Sequence, residues 1–159
     1  MLYPVIDEIR IKVFPPATAT YKERNMDGHV NSPVKQYHQL DIQTSIDAAT
    51  PHQIIDMLFK GARDRVNQAL GFMEHKDMAG KAKSINACID ILNGLQASLD
   101  HEKGGEIAAN LEGLYDYMQR RLYRASADND KQGLLEVSDL IHTLRSAWVA
   151  IDPTAAQKR

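Results

Sequence analysis

The stretch Gly104-Gly-Glu-Ile-Ala108-Ala-Asn-Leu111-Glu-Gly-Leu114-Tyr-Asp-Tyr-Met118-Gln-Arg-Arg-Leu122 decides the fold. Two adjacent glycines interrupt a helix, because glycine loses more backbone freedom on ordering than any other residue. Glu106 then places a carboxylate where the amino-terminal end of a helix dipole favours one. From there Ile107, Leu111, Leu114, Met118, Leu122 and Ala125 recur every three or four residues, the period of one helical face. The glycine pair therefore reads as the stop of one helix and the start of the next.

Working outward, the same punctuation recurs. Downstream, Asp128-Asn-Asp130 reads as a turn, followed by a last helix with Leu134, Val137, Ile141, Leu144, Trp148 and Ile151 on one line. Upstream, Asp77 opens a helix that carries Ile85, Ile89, Leu92 and Leu99 on one face and Ala87, Ile91 and Leu95 on another, so it must be covered from two directions. Before it, Thr50-Pro-His-Gln53 combines an N-cap hydroxyl, a proline at the first helical position and a glutamine at the third. A helix follows to about Glu74, with Ile54, Leu58, Ala62, Val66, Ala69 or Leu70, and Met73 facing inward. Four helices with short connections pack most simply as an antiparallel four-helix bundle. The fold class is all-α, with a short helix or extended segment over 34–48 preceding the bundle.

The remaining chain divides by composition. Residues 1–33 hold four of the six prolines, Pro4, Pro15, Pro16 and Pro33, which forbid one continuous helix. They read as a disordered or loosely docked arm, with Met26 as a second candidate start. Residues 34–151 form the helical domain, and 152–159 a polar tail.

Composition narrows the function classes. The chain has 159 residues, 43% hydrophobic and 25% charged, ordinary for one soluble domain. A formal charge of −2 argues against a nucleic-acid binder, which needs a clustered basic surplus. One cysteine, Cys88, rules out an internal disulfide framework and fits a reducing compartment. No run has the length of a membrane span, and Asp7, Glu8, Arg10 and Lys12 break any signal-peptide pattern. The expectation is a cytoplasmic protein with neither nucleic-acid binding nor membrane insertion.

No arrangement of residues points to a reaction. A di-iron bundle needs two Glu-x-x-His pairs, and the nearest substitute is a single Asp139-x-x-His142. The six histidines are scattered, and Cys88 lies on an apolar face. Gly104-Gly105 lacks the preceding strand and following Lys-Ser/Thr of a phosphate loop. His101-Glu-Lys-Gly104 is one residue short of the His-x-x-Lys-Gly pattern of histidine phosphotransfer bundles. The reading is therefore a non-enzyme with no catalytic residue, cofactor or metal. Spare apolar residues, Met57, Phe59, Ile91, Leu95, Tyr115, Tyr117, Tyr123, Leu135 and Leu140, suggest a partner groove.

Over residues 34–151 the order of motifs resembles the flagellar secretion chaperone FliS family. Tyr37 leading to Ala48-Ala-Thr-Pro-His52, then Ile55-Asp-Met-Leu-Phe-Lys-Gly-Ala62, are similar to the family's tyrosine, Thr-Ala-Ser-Pro opening and first long helix. Leu99-Asp-His-Glu-Lys-Gly-Gly-Glu-Ile-Ala108, Leu114-Tyr-Asp-Tyr117, Glu136-Val137, Leu144-Arg145 and Ala147-Trp148 complete the resemblance. The first 33 residues depart from it. The resemblance implies an export chaperone that binds the C-terminal segment of flagellin, prevents premature polymerisation and assists delivery to the flagellar export apparatus. Flagellin contacts are then expected at Val34, Tyr37, Ile42, Ile54, Met57, Leu58, Ile85, Ile89, Leu92, Tyr115 and Met118. Further partners implied are the export gate and other flagellar regulators, with a monomer or weak homodimer when unbound. The alternative class is a regulatory bundle, either a histidine phosphotransfer domain or an anti-sigma-factor binder.

Overall fold

A computed structural model describes residues 48–152. They form four helices: α1 (Pro51–Glu74), α2 (Met78–Ala97), α3 (His101–Asp128) and α4 (Lys131–Ala150). The arm over 1–33, the segment over 34–47 with Val34, Tyr37 and Ile42, and the tail after Asp152 lie outside the described residues.

Each start is capped by a side chain that satisfies an amide the helix leaves open. At α1 the capping box is complete: Gln53 N–H donates to Thr50 Oγ1 at 3.2 Å, and Thr50 N–H to Gln53 Oε1 at 2.9 Å. Asp77, Asp100 and Asp130 cap α2, α3 and α4 through the amides of Gly80, Lys103 and Gly133, at 2.9, 3.0 and 3.1 Å. The ends are as specific. At the close of α1, Lys76 takes φ 58° while Asp77 N–H reaches Phe72 O at 2.9 Å and Lys76 N–H reaches Met73 O at 3.2 Å. That pair of bonds is a Schellman turn. Asn129, a residue that tolerates the left-handed region, closes α3 at φ 51°.

One boundary differs from the sequence reading. Helix α2 ends at Ala97, so Leu99 belongs to the connection and not to the α2 face. The glycine pair does not stop α2. Instead Asp100 starts α3 at His101, and Gly105, at φ 48° and ψ −124°, kinks it. The local reason is that an aspartate three residues before an available amide caps more strongly than a glycine breaks.

The helices form a four-sided antiparallel bundle in which α1 packs on α2 and α4, and α3 packs on the same two. Contacts between α1 and α4 pair 52 with 148, 56 with 145, 63 with 138 and 74 with 131, which fixes their opposite directions. Helix α2, apolar on two faces, lies between α1 and α3, as its pattern requires. Ile85, Ile91, Leu92, Leu95, Met118, Leu122, Leu134 and Ile141 are fully buried. Each such side chain contributes roughly 1.5–3 kcal/mol relative to exposure. Lys81, 2% exposed, turns its ammonium to Ser126 O at 2.8 Å and to Asn129 Oδ1, tying α2 to the carboxyl end of α3.

Candidate functional site

The apolar stripes of α3 and α4 run past the core at one end of the bundle, where α1 and α3 begin and α2 and α4 finish. On α3 the line Leu122, Met118, Leu114, Leu111 leads to Ile107, which is 72% exposed. On α4 the line Ile141, Leu144, Trp148 leads to Ile151, 66% exposed, with Val149 at 48% beside it. Ile54, Ile55, Leu99, Leu111, Leu144 and Trp148 at this end are half-buried against the core cluster. Ala108, on the same turn as Ile107, is 3% exposed, so Ile107 stands on the outer side of that turn; exposed apolar residues such as Ile107, Val149 and Ile151 are the type of surface that partners cover.

The rim of that end on the α1–α4 side is rigidly held. The rings of His52 and Trp148 stack, with centroids 4.8 Å apart and planes 10° from parallel. Trp148 Nε1–H donates to His52 O at 3.0 Å, and His52 Nε2 lies 2.8 Å from Trp148 O, an arrangement in which the ring nitrogen donates. One turn inward, Arg145 grips Asp56 with two bonds of 2.6 and 3.2 Å. Trp148 itself is half-buried, so it closes the stripe as an edge residue and not as a core one. The sequence pattern placed Trp148 on the stripe, but no spacing rule indicated its partner 96 residues away.

The residues proposed for flagellin contact fall into three groups. Val34, Tyr37 and Ile42 lie outside the described residues. Ile54 and Met57 are half-buried on α1. Leu58, Ile85, Ile89, Leu92, Tyr115 and Met118 are buried together in the core cluster. The Tyr115 hydroxyl is pushed up to about 12 by that burial. Of the surplus apolar residues read as a groove, Phe59, Ile91, Leu95 and Tyr115 are also core, while Met57, Leu135 and Leu140 are half-buried. The reason is the placement of α2, whose two apolar faces absorb them from both neighbours. Tyr117 and Tyr123 are exposed, and Tyr117 donates its hydroxyl hydrogen to Glu136. Ile107, Val149 and Ile151, which the contact set omits, form the exposed apolar end.

Titratable groups are placed for structure. His101 sits in the first turn of α3, 3.7 Å from Glu112, and not on a central turn. Cys88 is wholly buried and its thiol is pushed up to about 12 by desolvation. Among the described residues, no three His, Cys, Asp or Glu side chains gather as metal ligands, and no helix is long and apolar enough to cross a membrane.

Fold and surface together define a class, an antiparallel four-helix bundle with exposed apolar residues where α3 begins and α4 finishes, besides Met78 at the other end and Tyr117 and Tyr123 along α3. Residues 33–155 match the family model for flagellar protein FliS. The flagellar secretion chaperone FliS of Salmonella typhimurium is 44% identical over 126 residues, covering 79% of this chain and 93% of that protein. The flagellar secretion chaperone FliSB of Pseudomonas aeruginosa is 42% identical, over 74% of this chain and 94% of its own. FliS of Bacillus subtilis is 32% identical, over 67% and 78%. The chain belongs to the FliS family of flagellar proteins, whose members compared here are named secretion chaperones.

Proposed function

We propose that this protein is a cytoplasmic, non-enzymatic chaperone that binds the C-terminal segment of flagellin, keeps it from polymerising and helps deliver it to the flagellar export apparatus. The observation that carries the reading is a bundle of this family with Ile107, Val149 and Ile151 exposed where α3 begins and α4 finishes. An amphipathic segment that would otherwise assemble with its own kind can lay its apolar face there. Because such a segment orders on binding, the contact must be long enough to offset the entropy lost. Ile54 and Met57 offer partly open contacts, whereas Leu58, Ile85, Ile89, Leu92, Tyr115 and Met118 take part where helices shift or as the floor beneath the contact. Val34-Lys-Gln-Tyr37 is similar to the family's apolar-x-x-Tyr element, and a tethered ligand of that kind would compete for the partner surface when the chaperone is empty, its high effective concentration compensating for weak contacts.

Isothermal titration with full-length flagellin and with flagellin lacking its C-terminal tail tests this. Full-length flagellin binds one-to-one and the truncated form does not; equal binding of both would remove the assignment. In the same titration Tyr37→Ala changes flagellin affinity while leaving the bundle folded. A variant that matches the parent there and in sedimentation would remove Tyr37 from the site.

A further inference from the structure

Gly105 takes φ 48° and ψ −124° within α3, a region nearly closed to L residues. A backbone in that conformation cannot carry the helical ladder straight through, so residues 101–104 are a turn of their own. The turn closes on itself: Asp100 accepts Lys103 N–H on its carboxylate at 3.0 Å and Gly104 N–H on its carbonyl at 2.8 Å. It meets the long part of α3 through His101 and Glu112, a half-exposed pair at 3.7 Å, and such pairs are weak. It also meets it where Gly104 lies against Ala108, so closely that a Cβ on Gly104 would be 2.8 Å from the Ala108 methyl. Around Gly105 the space is open, with no heavy atom within 4 Å of where its Cβ would stand.

The other end of α3 is built differently. Lys81 binds Ser126 and Asn129 there, and Arg121 bridges Asp130 and Glu136 at 2.8 and 2.9 Å. One end of the helix is laced to its neighbours by side chains, and the other is a small closed turn between a glycine pivot and the α2 C-cap, to which it is joined by one backbone bond, Leu99 N–H to Gln96 O at 3.2 Å. Leu99, half-buried on the core, comes just before that turn, and Ile107, 72% exposed, just after the pivot.

We propose that residues 99–104 are a strap between the α2 C-cap Ser98 and a pivot at Gly105, which lifts off the end of the bundle when Leu99 N–H releases Gln96 O and opens Ala108 and Leu111, next to Ile107, to the flagellin tail. The strap's client role rests on the chaperone reading above. Closed, it shields the apolar end with Leu99; open, it lengthens the inward line of α3 available to an incoming helix. Hinges of this kind need one residue that absorbs a large backbone change and an element with few external ties.

Hydrogen exchange on the full chain, alone and with flagellin, tests the strap, using the parent, Gly104→Ala and Glu112→Gln. Parent amides over 99–108 exchange about tenfold or more faster than those over 114–122, as local opening without global unfolding demands. Gly104→Ala, whose methyl pushes against Ala108, accelerates that exchange and raises the association rate with flagellin severalfold, leaving 114–122 unchanged. Glu112→Gln, which cannot disturb the backbone, moves both in the same direction by less. Bound flagellin protects 105–111, which it covers, while 99–104, held off the bundle, exchange at least as fast as in the free chain. Flagellin binding together with uniform protection of 99–108 and 114–122 in the parent would overturn the strap alone. Fast strap exchange in a parent chain that ignores flagellin would overturn the chaperone reading and the client role with it. Variants that speed exchange but leave flagellin association unchanged would also remove that role.

Discussion

His52 and Trp148 carry the tertiary contact on which the α1–α4 rim depends. Their stacked rings cover apolar area, and each backbone carbonyl is engaged by the other side chain, so truncating one leaves polar groups to be rehydrated at a half-buried site. Trp148→Ala removes a large aromatic from the edge of the core, and the loss sits at the low end of the buried-aromatic range, about 3 kcal/mol. For a domain of this size that corresponds to a melting temperature lower by roughly 10 °C, readable by calorimetry. A drop of a degree or two would mean that the ring contributes little to packing. Cys88 shows the opposite extreme. Wholly buried and raised to about 12, its thiol is both inaccessible and protonated in the folded state. An aromatic disulfide reagent therefore modifies it only through opening of the core, about a thousandfold or more slower in native buffer than in denaturant. Immediate reaction of the folded chain would contradict the central position of α2.

Between elements, the α3–α4 hairpin is fastened by Arg121, which pairs with Asp130 and Glu136, and by Tyr117 on the second of these. Asp130 is held below its ordinary 3.8 first by the Gly133 amide and then by Arg121; Glu136 is held below 4.5 first by the Tyr117 hydroxyl and then by Arg121. Gly133 matters to this geometry, since any Cβ there would come within 2.4 Å of the Arg121 guanidinium. Depressed folded values mean that the unfolded chain binds protons more readily. The stabilisation is present above the ordinary carboxylate range and is lost as pH falls through the folded values. The melting temperature accordingly stays level above about pH 5.5 and declines below about pH 4.5. Glu136→Gln makes that acid decline shallower; an unchanged slope would show that the hairpin cluster does not couple to folding. These groups are partly exposed, so added salt weakens the effect.

At the scale of the molecule, the two ends of the bundle differ in construction. One is laced by Lys81, Arg121 and the Lys131–Glu74 pair. The other combines the rigid His52–Trp148 and Asp56–Arg145 rim with a turn on a glycine pivot and uncovered Ile107 and Ile151. The proposed chaperone role would use this combination, a stable frame and exposed apolar residues at one end that a client can cover. The FliS relatives compared here align across most of this chain, consistent with the whole bundle being the unit of function.

Helix number, three of the four starts and the inward stripes were legible in the sequence because they depend on local rules. Thr50 and Asp77 cap through amides three residues away, and Leu134 to Trp148 keep the helical period whatever surrounds them. The start of α3 was misplaced because Asp100 and the glycine pair compete within six residues, and only the folded backbone decides which acts as cap and which as kink. The division between core and surface was also beyond the sequence. Ile89 and Ile107 are both isoleucines on an apolar stripe, yet one is 3% and the other 72% exposed. Periodicity specifies a direction around a helix axis. Ala108, beside Ile107, is 3% exposed, so which of two adjacent apolar residues turns toward a neighbour depends on how the four helices sit against one another, and tertiary packing alone determines it.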